Sequence, residues 1–153
     1  MHRATKTLAA AGGLVLVLSG IAAAVPTIDR PSTIRITDRE LSYRRFDEGP
    51  RGTGAGDVEI AWQALYNTRV RARPIGHSEL ICTYLTTRSR NCSATYFLPK
   101  GKLVVEGVIG SRLLFELPVV GGTGLYANAR GSLVVTTTQE EPRREVLFFR
   151  LLP

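Results

Sequence analysis

GGTGLYANARG, residues 121–131, follows the apolar run LLFELPVV and precedes GSLVV, so its glycines sit where one β-rich run ends and the next begins. A phosphate loop also opens on glycines, but it needs a helix behind them, so that free N–H groups and the helix dipole converge on the anion. Here only six residues, Leu125 to Arg130, separate Gly124 from Gly131, and no Lys-Ser or Lys-Thr pair follows. The stretch therefore reads as a corner between two strands, which argues against nucleotide binding.

Working outward from that corner, β-branched and aromatic runs recur along the chain. They lie at about Ile34 to Phe46, Asp57 to Tyr66, Gly76 to Tyr84, Cys92 to Leu98, Lys102 to Ile109, Leu113 to Val120, Gly131 to Thr138 and Glu145 to Leu152. Short turns such as Pro99-Lys100-Gly101 and Gly110-Ser111 join them, and no long amphipathic helix interrupts the series. Eight such strands form an antiparallel meander that ends as a sandwich or as a closed barrel. Closure removes the exposed edges, and eight strands leave an interior that just holds one small ligand. The expected fold is all-β, an eight-stranded antiparallel up-and-down β-barrel over residues 34–153. One connection, EGPRGTGAG at Glu48 to Gly56, reads as a loose, mobile linker.

The N-terminal residues stand apart from this pattern. Arg3 and Lys6 precede a nearly continuous apolar or small run from Leu8 to Ala24 that exits through Ala22-Ala23-Ala24. That order is the one a secretory signal peptide shows. The alternative is a retained membrane anchor, because a run of about 17 residues lies at the lower edge of what spans a bilayer. Gly12, Gly13, Ser19 and Gly20 dilute the run, and the small-residue exit favours cleavage. The expectation is a signal over residues 1–24, a leader over 25–33, and a secreted protein without a membrane segment after cleavage.

Without Arg3 and Lys6 the net charge falls from +7 to +5. The densest cationic set, Arg69, Arg71 and Arg73, alternates at period two and would project from one face of an extended segment. No aromatic residues interleave with it as a nucleic-acid site would require, so a solvated face is the better reading. Two cysteines remain, Cys82 and Cys92, flanking TYLTTRSRN. Polar residues in the middle of that segment give a hairpin turning near Thr87 to Arg90, which sets the cysteines opposite each other on neighbouring strands. In an exported protein this pattern favours a disulfide worth roughly 2 to 3 kcal/mol. With His77 as the one histidine after the signal, the thiols cannot fill a metal site without distant carboxylates.

VVGGTGLYANARGSLVV resembles the penultimate-hairpin signature of dirigent proteins and of the allene oxide cyclase barrel: Gly-Gly-Thr/Ser-Gly, a turn holding an aromatic, then Ala-Arg-Gly. The likeness continues upstream in order, through GDVEIAWQALYN at 56–67, IGHSELIC at 75–82, SATY at 93–96 and GKLVVEG at 101–107. The resemblance implies a barrel with an apolar cavity, often trimeric, acting on a small hydrophobic molecule without a cofactor; the charge and cysteine patterns above already argue against a nucleic-acid partner and a metal. Orientation in a dry, shaped cavity would then supply most of the effect.

The same resemblance implies the candidate ligand-binding residues Gln63, Tyr84, Tyr96 and Arg130. Gln63 occupies the position of the cyclases' water-holding asparagine, and Arg130 is the arginine of Ala-Arg-Gly. Cys82 matches their cavity cysteine, but a bond to Cys92 would remove its thiol chemistry. Their first-strand acid has three candidates here, Asp38, Glu40 and Asp47. Read plainly, Tyr126 is a plug under its hairpin, Arg130 pairs with Glu106 or Glu116, and His77 lies on the surface.

One conflict is testable. Alternation alone turns the stripe Val58, Ile60, Trp62, Ala64 and Tyr66 inward, whereas the resemblance turns Gln63 and Cys82 inward and leaves Trp62 outside as an interface. Two functions follow: a barrel that binds and cyclises or isomerises a small hydrophobic molecule, or a non-catalytic secreted barrel with a filled interior.

Overall fold

The computed structural model describes residues 30–67, 73–138 and 143–153. Eight strands run in chain order: β1 (Thr33–Phe46), β2 (Val58–Asn67), β3 (Gly76–Tyr84), β4 (Ser89–Leu98), β5 (Gly101–Gly110), β6 (Leu114–Gly122), β7 (Gly131–Thr137) and β8 (Glu145–Leu151). Each pairs antiparallel with the next, and β8 returns to β1 from Thr33↔Arg150 to Thr37↔Val146, closing the barrel. The sandwich alternative is thereby excluded. The signal at 1–24, most of the leader, and Arg69 and Arg71 of the cationic stripe lie outside the described residues; Arg73 is exposed.

Period-two alternation sorts each strand into an inner and an outer face. Leu103 and Val105 of β5, Leu117 and Val119 of β6, Leu133 and Val135 of β7, and Leu147 and Phe149 of β8 fill the interior. Burying each of these side chains stabilises the fold by about 1.5 to 3 kcal/mol. On β2 the inner set is Ala61, Gln63 and Leu65, while Trp62 is 45% exposed, so simple alternation of apolar residues misassigns this strand's face. In β1 the register slips between Glu40 and Ser42, a bulge at Leu41. Glu40 lies opposite Gln63 before it and Tyr43 opposite Ala61 after it, so the inward residues change from even to odd numbers.

Up-and-down connectivity places the β1–β2, β3–β4, β5–β6 and β7–β8 turns at one end, called the open end below. The other turns and the chain's described termini lie at the opposite, closed end. There the corner that opened the sequence reading becomes a plug. A single 3-10 turn, Gly124–Tyr126, buries Tyr126 in the core, with Ala129 behind it. Gly124 adopts φ +62, and a Cβ on Gly131 (φ +141) would collide with the Arg150 carbonyl, so both positions need glycine. Arg30 fastens the same end, donating to the carbonyl oxygens of Ala127 (3.2 Å) and Leu152 (2.6 Å).

Cys82 of β3 lies opposite Cys92 of β4, and the two form a disulfide. The turn spans residues 85–88, because Thr86 and Ser89 bond through both backbone and hydroxyl groups, and β4 begins three residues earlier than the sequence pattern suggested. The Glu48–Gly56 linker is not loose. Asp57 accepts the N–H groups of Glu48 and Gly54 at 2.9 Å each, and Asp47 accepts that of Gly52 at 3.3 Å. Gly-rich composition suggested freedom; the carboxylates at each end of the loop remove it.

Candidate functional site

The inward faces carry a set of polar side chains that is unusual for a barrel interior. Asp38 (β1), Gln63 (β2), Ser78 (β3), Thr137 (β7) and Glu145 (β8) are all buried. Each shares strand parity with core residues, as Glu145 does with Leu147 and Phe149. Of these, Gln63 and Glu145 line a cavity of about 40 Å³, together with Glu40, Arg90, Tyr96 and Arg143, while Asp38 lies beside it, bonded to the Glu145 N–H. Such a volume holds a water molecule or two and lies far below the roughly 300 Å³ at which ligand pockets begin. In this state the lumen is nearly filled.

Of the three first-strand acids the sequence offers, Glu40 lines the cavity, Asp38 is buried beside it, and Asp47 sits in the β1–β2 loop. The Asp38 carboxyl is 1% exposed and accepts the Glu145 N–H at 2.8 Å through Oδ1, while Oδ2 has no hydrogen-bond partner among the described residues. Burial, then the neighbouring Glu145 charge, push its pKa up to about 8; the Glu145 N–H and the Arg143 charge oppose the rise without cancelling it. Asp38 is thus a neutral carboxylic acid at neutral pH, with a proton to give. Glu145 is held by Thr137 Oγ1 and by Arg143, each at 3.1 Å. Tyr96 packs edge-on against Phe149, and burial followed by the Glu145 and Asp38 charges raises its phenol well above the ordinary range.

A second polar group walls the open end. Glu59 Oε1 accepts the hydroxyls of Tyr43 and Tyr84 at 2.6 Å each, and Arg90 Nε lies 3.5 Å from Glu59 Oε2. The guanidinium groups of Arg45 and Arg90 stand over the Tyr84 ring at 5.3 and 5.6 Å. Burial and hydrogen bonding to Glu59 raise the pKa of both tyrosines. They act as fixed donors rather than as acids.

The sequence-predicted residues separate accordingly. Gln63 and Tyr96 line the cavity, with Gln63 Oε1 accepting from Ser78 Oγ at 2.8 Å. Tyr84 is buried at the open end, outside that lining, with its hydroxyl committed to Glu59. Arg130 does not join them. It is exposed at the closed end, donating to the Val120 and Ala129 carbonyls at 2.7 and 2.9 Å, because Gly131 turns the chain before its side chain can enter. Those carbonyls also replace the expected pairing with Glu106 or Glu116. His77 lies on the outer wall, stacked on Phe97 at 4.3 Å and edge-on to Trp62 at 5.7 Å. Glu59, Arg90, Arg143 and Glu145 were missed: Arg90 and Glu145 share the parity of the inward residues of β4 and β8, but apolar alternation on β2 turns Glu59 outward and Arg143 precedes β8. Among the described residues no group of three or more His, Cys, Asp or Glu could hold a metal ion.

No protein-family model matches the chain, and no curated protein sequence is significantly similar to it. Solved structures do match. A pyocyanin demethylase superposes with a TM-score of 0.69 at 22% identity, over 78% of this chain and 99% of that one. The Diels-Alderase AbmU from Streptomyces koyangensis gives 0.64 at 19% identity over 79% of this chain, which spans 65% of that one. The pterocarpan synthase dirigent protein GePTS1 gives 0.61 at 17% identity, over 76% and 82%. At such identities the likeness shows the fold: a closed eight-stranded antiparallel barrel of the dirigent and Diels-Alderase kind.

Proposed function

We propose that this is a secreted barrel of the allene oxide cyclase and dirigent type, which takes a small hydrophobic molecule at its open end. There Asp38 assists an isomerisation or cyclisation. The observation that carries the reading is the state of Asp38. Holding a carboxyl neutral with a pKa near 8 costs the fold on the order of 4 kcal/mol at pH 7 relative to an ordinary aspartate. A purely structural barrel gains nothing from that cost, whereas a neutral acid inside a dry lumen protonates or hydrogen-bonds an oxygen on which charge develops. Gln63 and Tyr96 would orient the ligand, and Tyr84 would support the wall through Glu59. That the fold neighbours include a Diels-Alderase and a pterocarpan synthase supports ring-forming chemistry. No cofactor enters this scheme. The exposed Ile60, Trp62 and Ile81 face is the surface on which a homotrimer would form.

The 40 Å³ lumen favours a second reading, a secreted barrel without a ligand, since any occupant would have to displace the side chains that close the open end. Native mass spectrometry of the protein taken from its host's culture medium separates the two. The first reading expects a chain lacking residues 1–24 and carrying a hydrophobic mass that Asp38→Asn weakens. Ligand-free protein at every step supports the second.

A further inference from the structure

We propose that the open-end rim docks peripherally on an anionic lipid surface, a contact with the headgroup layer and not a span. Phe46 at the end of β1 is 48% exposed, Leu85 in the β3–β4 turn 48%, and Leu113 and Leu114 at the start of β6 49% and 59%. Large apolar side chains are ordinarily the ones a hairpin tip hides, and here three neighbouring tips present them. Arginines accompany them: Arg88 and Arg112 are exposed in the same two turns, and neither LTTR (85–88) nor GSRLL (110–114) contains an acid.

These tips form one surface. The Gly56 N–H donates to the Tyr84 carbonyl, joining the first turn to the second, and the α-carbon of Gly110 faces the Arg88 carbonyl, joining the second to the third. Of the acids near the rim, Asp57 pairs with Arg45 and Asp47 accepts the Gly52 N–H; Glu48 is exposed in the first turn, close in sequence to Arg51. Residues 139–142 lie outside the described residues and take no part in the argument.

Charge decides the occupant. A second copy apposed through this rim would bring Arg88 and Arg112 against their own counterparts, whereas an anionic headgroup layer offers both guanidinium groups a partner and the leucines an apolar layer beneath. The placement also aims the barrel's opening at the phase in which a hydrophobic molecule dissolves. Docking is independent of the acid chemistry, so Asp38→Asn is expected to bind vesicles as the unaltered chain does.

Flotation of the full chain with phosphatidylcholine vesicles, with and without phosphatidylglycerol, tests the proposal. The expected result is binding that requires phosphatidylglycerol, is released by salt, and weakens on the order of tenfold or more in Arg88→Glu/Arg112→Glu. Ile81→Asp, on the barrel wall, is expected to bind normally. An apolar N-terminal run could hold the chain on vesicles by itself, so Leu114→Trp supplies a local readout: its emission should shift to the blue only with anionic vesicles. Binding indifferent to the arginine reversals, or an unshifted tryptophan, overturns the proposal. A lipid-free dimer abolished by Leu113→Asp/Leu114→Asp would assign the rim to a second copy and overturn it as well.

Discussion

Asp38 and Asp57 are each 1% exposed, yet Asp38 lies in the barrel interior and Asp57 beside the β1–β2 turn, and their chemistry is opposite. Asp57 accepts two backbone N–H groups and pairs with Arg45 at 2.6 Å, so its pKa falls to about 2, with the Arg45 hydrogen bond as the largest cause. Asp38 is desolvated in the barrel interior, has the Glu145 carboxylate beside it, and accepts a single N–H, so its pKa rises to about 8, with burial as the largest cause. Low exposure alone does not set the charge of an aspartate; how deeply it is desolvated and which donors surround it decide together. One carboxylate fastens a loop, and the other stores a proton at the lumen.

Replacing Asp38 breaks the contrast most directly. A group whose folded pKa is raised binds its proton more tightly in the native state, so its penalty is absent below about pH 4, grows as pH rises, and is complete above about pH 8. Asp38→Asn should therefore melt well above the parent at pH 8, by an increment on the order of 4 kcal/mol, and near it at pH 4. Thermal denaturation across that range checks this. Equal melting curves at pH 8 would place the carboxylate in an unstrained, charged state.

The opposite sign belongs to Asp57. Its lowered pKa stabilises the fold above about pH 4, and that contribution is lost as pH falls through about 2. Asp57→Asn should lower the melting temperature at neutral pH, since Arg45 loses its ion pair, and should free the 47–56 loop. Proteolysis within GPRGTGAG should then speed up, and a loop that stays resistant would mean that Asp57 is not what holds it.

Smaller changes sharpen the contrast around Asp38 itself. Glu145→Gln removes the neighbouring charge while keeping the backbone N–H, so the Asp38 titration should move down but remain above the ordinary range, because desolvation is the larger cause. Arg143→Ala removes an opposing cation and should move it up, by less, since Arg143 is 42% exposed and screened by solvent. Carboxyl chemical shifts followed against pH in each variant report both. Movement in the same direction for the two would contradict the assignment of causes.

Much of this architecture was legible in the sequence. Alternation, turn residues and glycines at 124 and 131 are local signals, and closure follows from pairing eight strands in order, so strand ends were misjudged by only a few residues. The Cys82–Cys92 spacing needed only a hairpin. The site was harder because its residues converge from strands distant in the chain: Asp38 and Glu145 are 107 positions apart, joined by the barrel's closing seam. The bulge at Leu41 also changes which residues of β1 point inward, and nothing in DRELSYRRF announces it. Arg130 misled because its motif is a backbone device. Its glycines shape a corner, and the arginine within it satisfies carbonyls at the end away from the lumen.

The proposed role of Asp38 requires a neutral acid in the barrel interior, and its own titration tests this most directly. Carbon-detected NMR of the aspartate carboxyls, assigned by Asp38→Asn, should show the Asp38 resonance titrating at about pH 8 while Asp57 stays ionised down to about pH 2. An Asp38 midpoint near 4, among the ordinary carboxylates, would contradict the account.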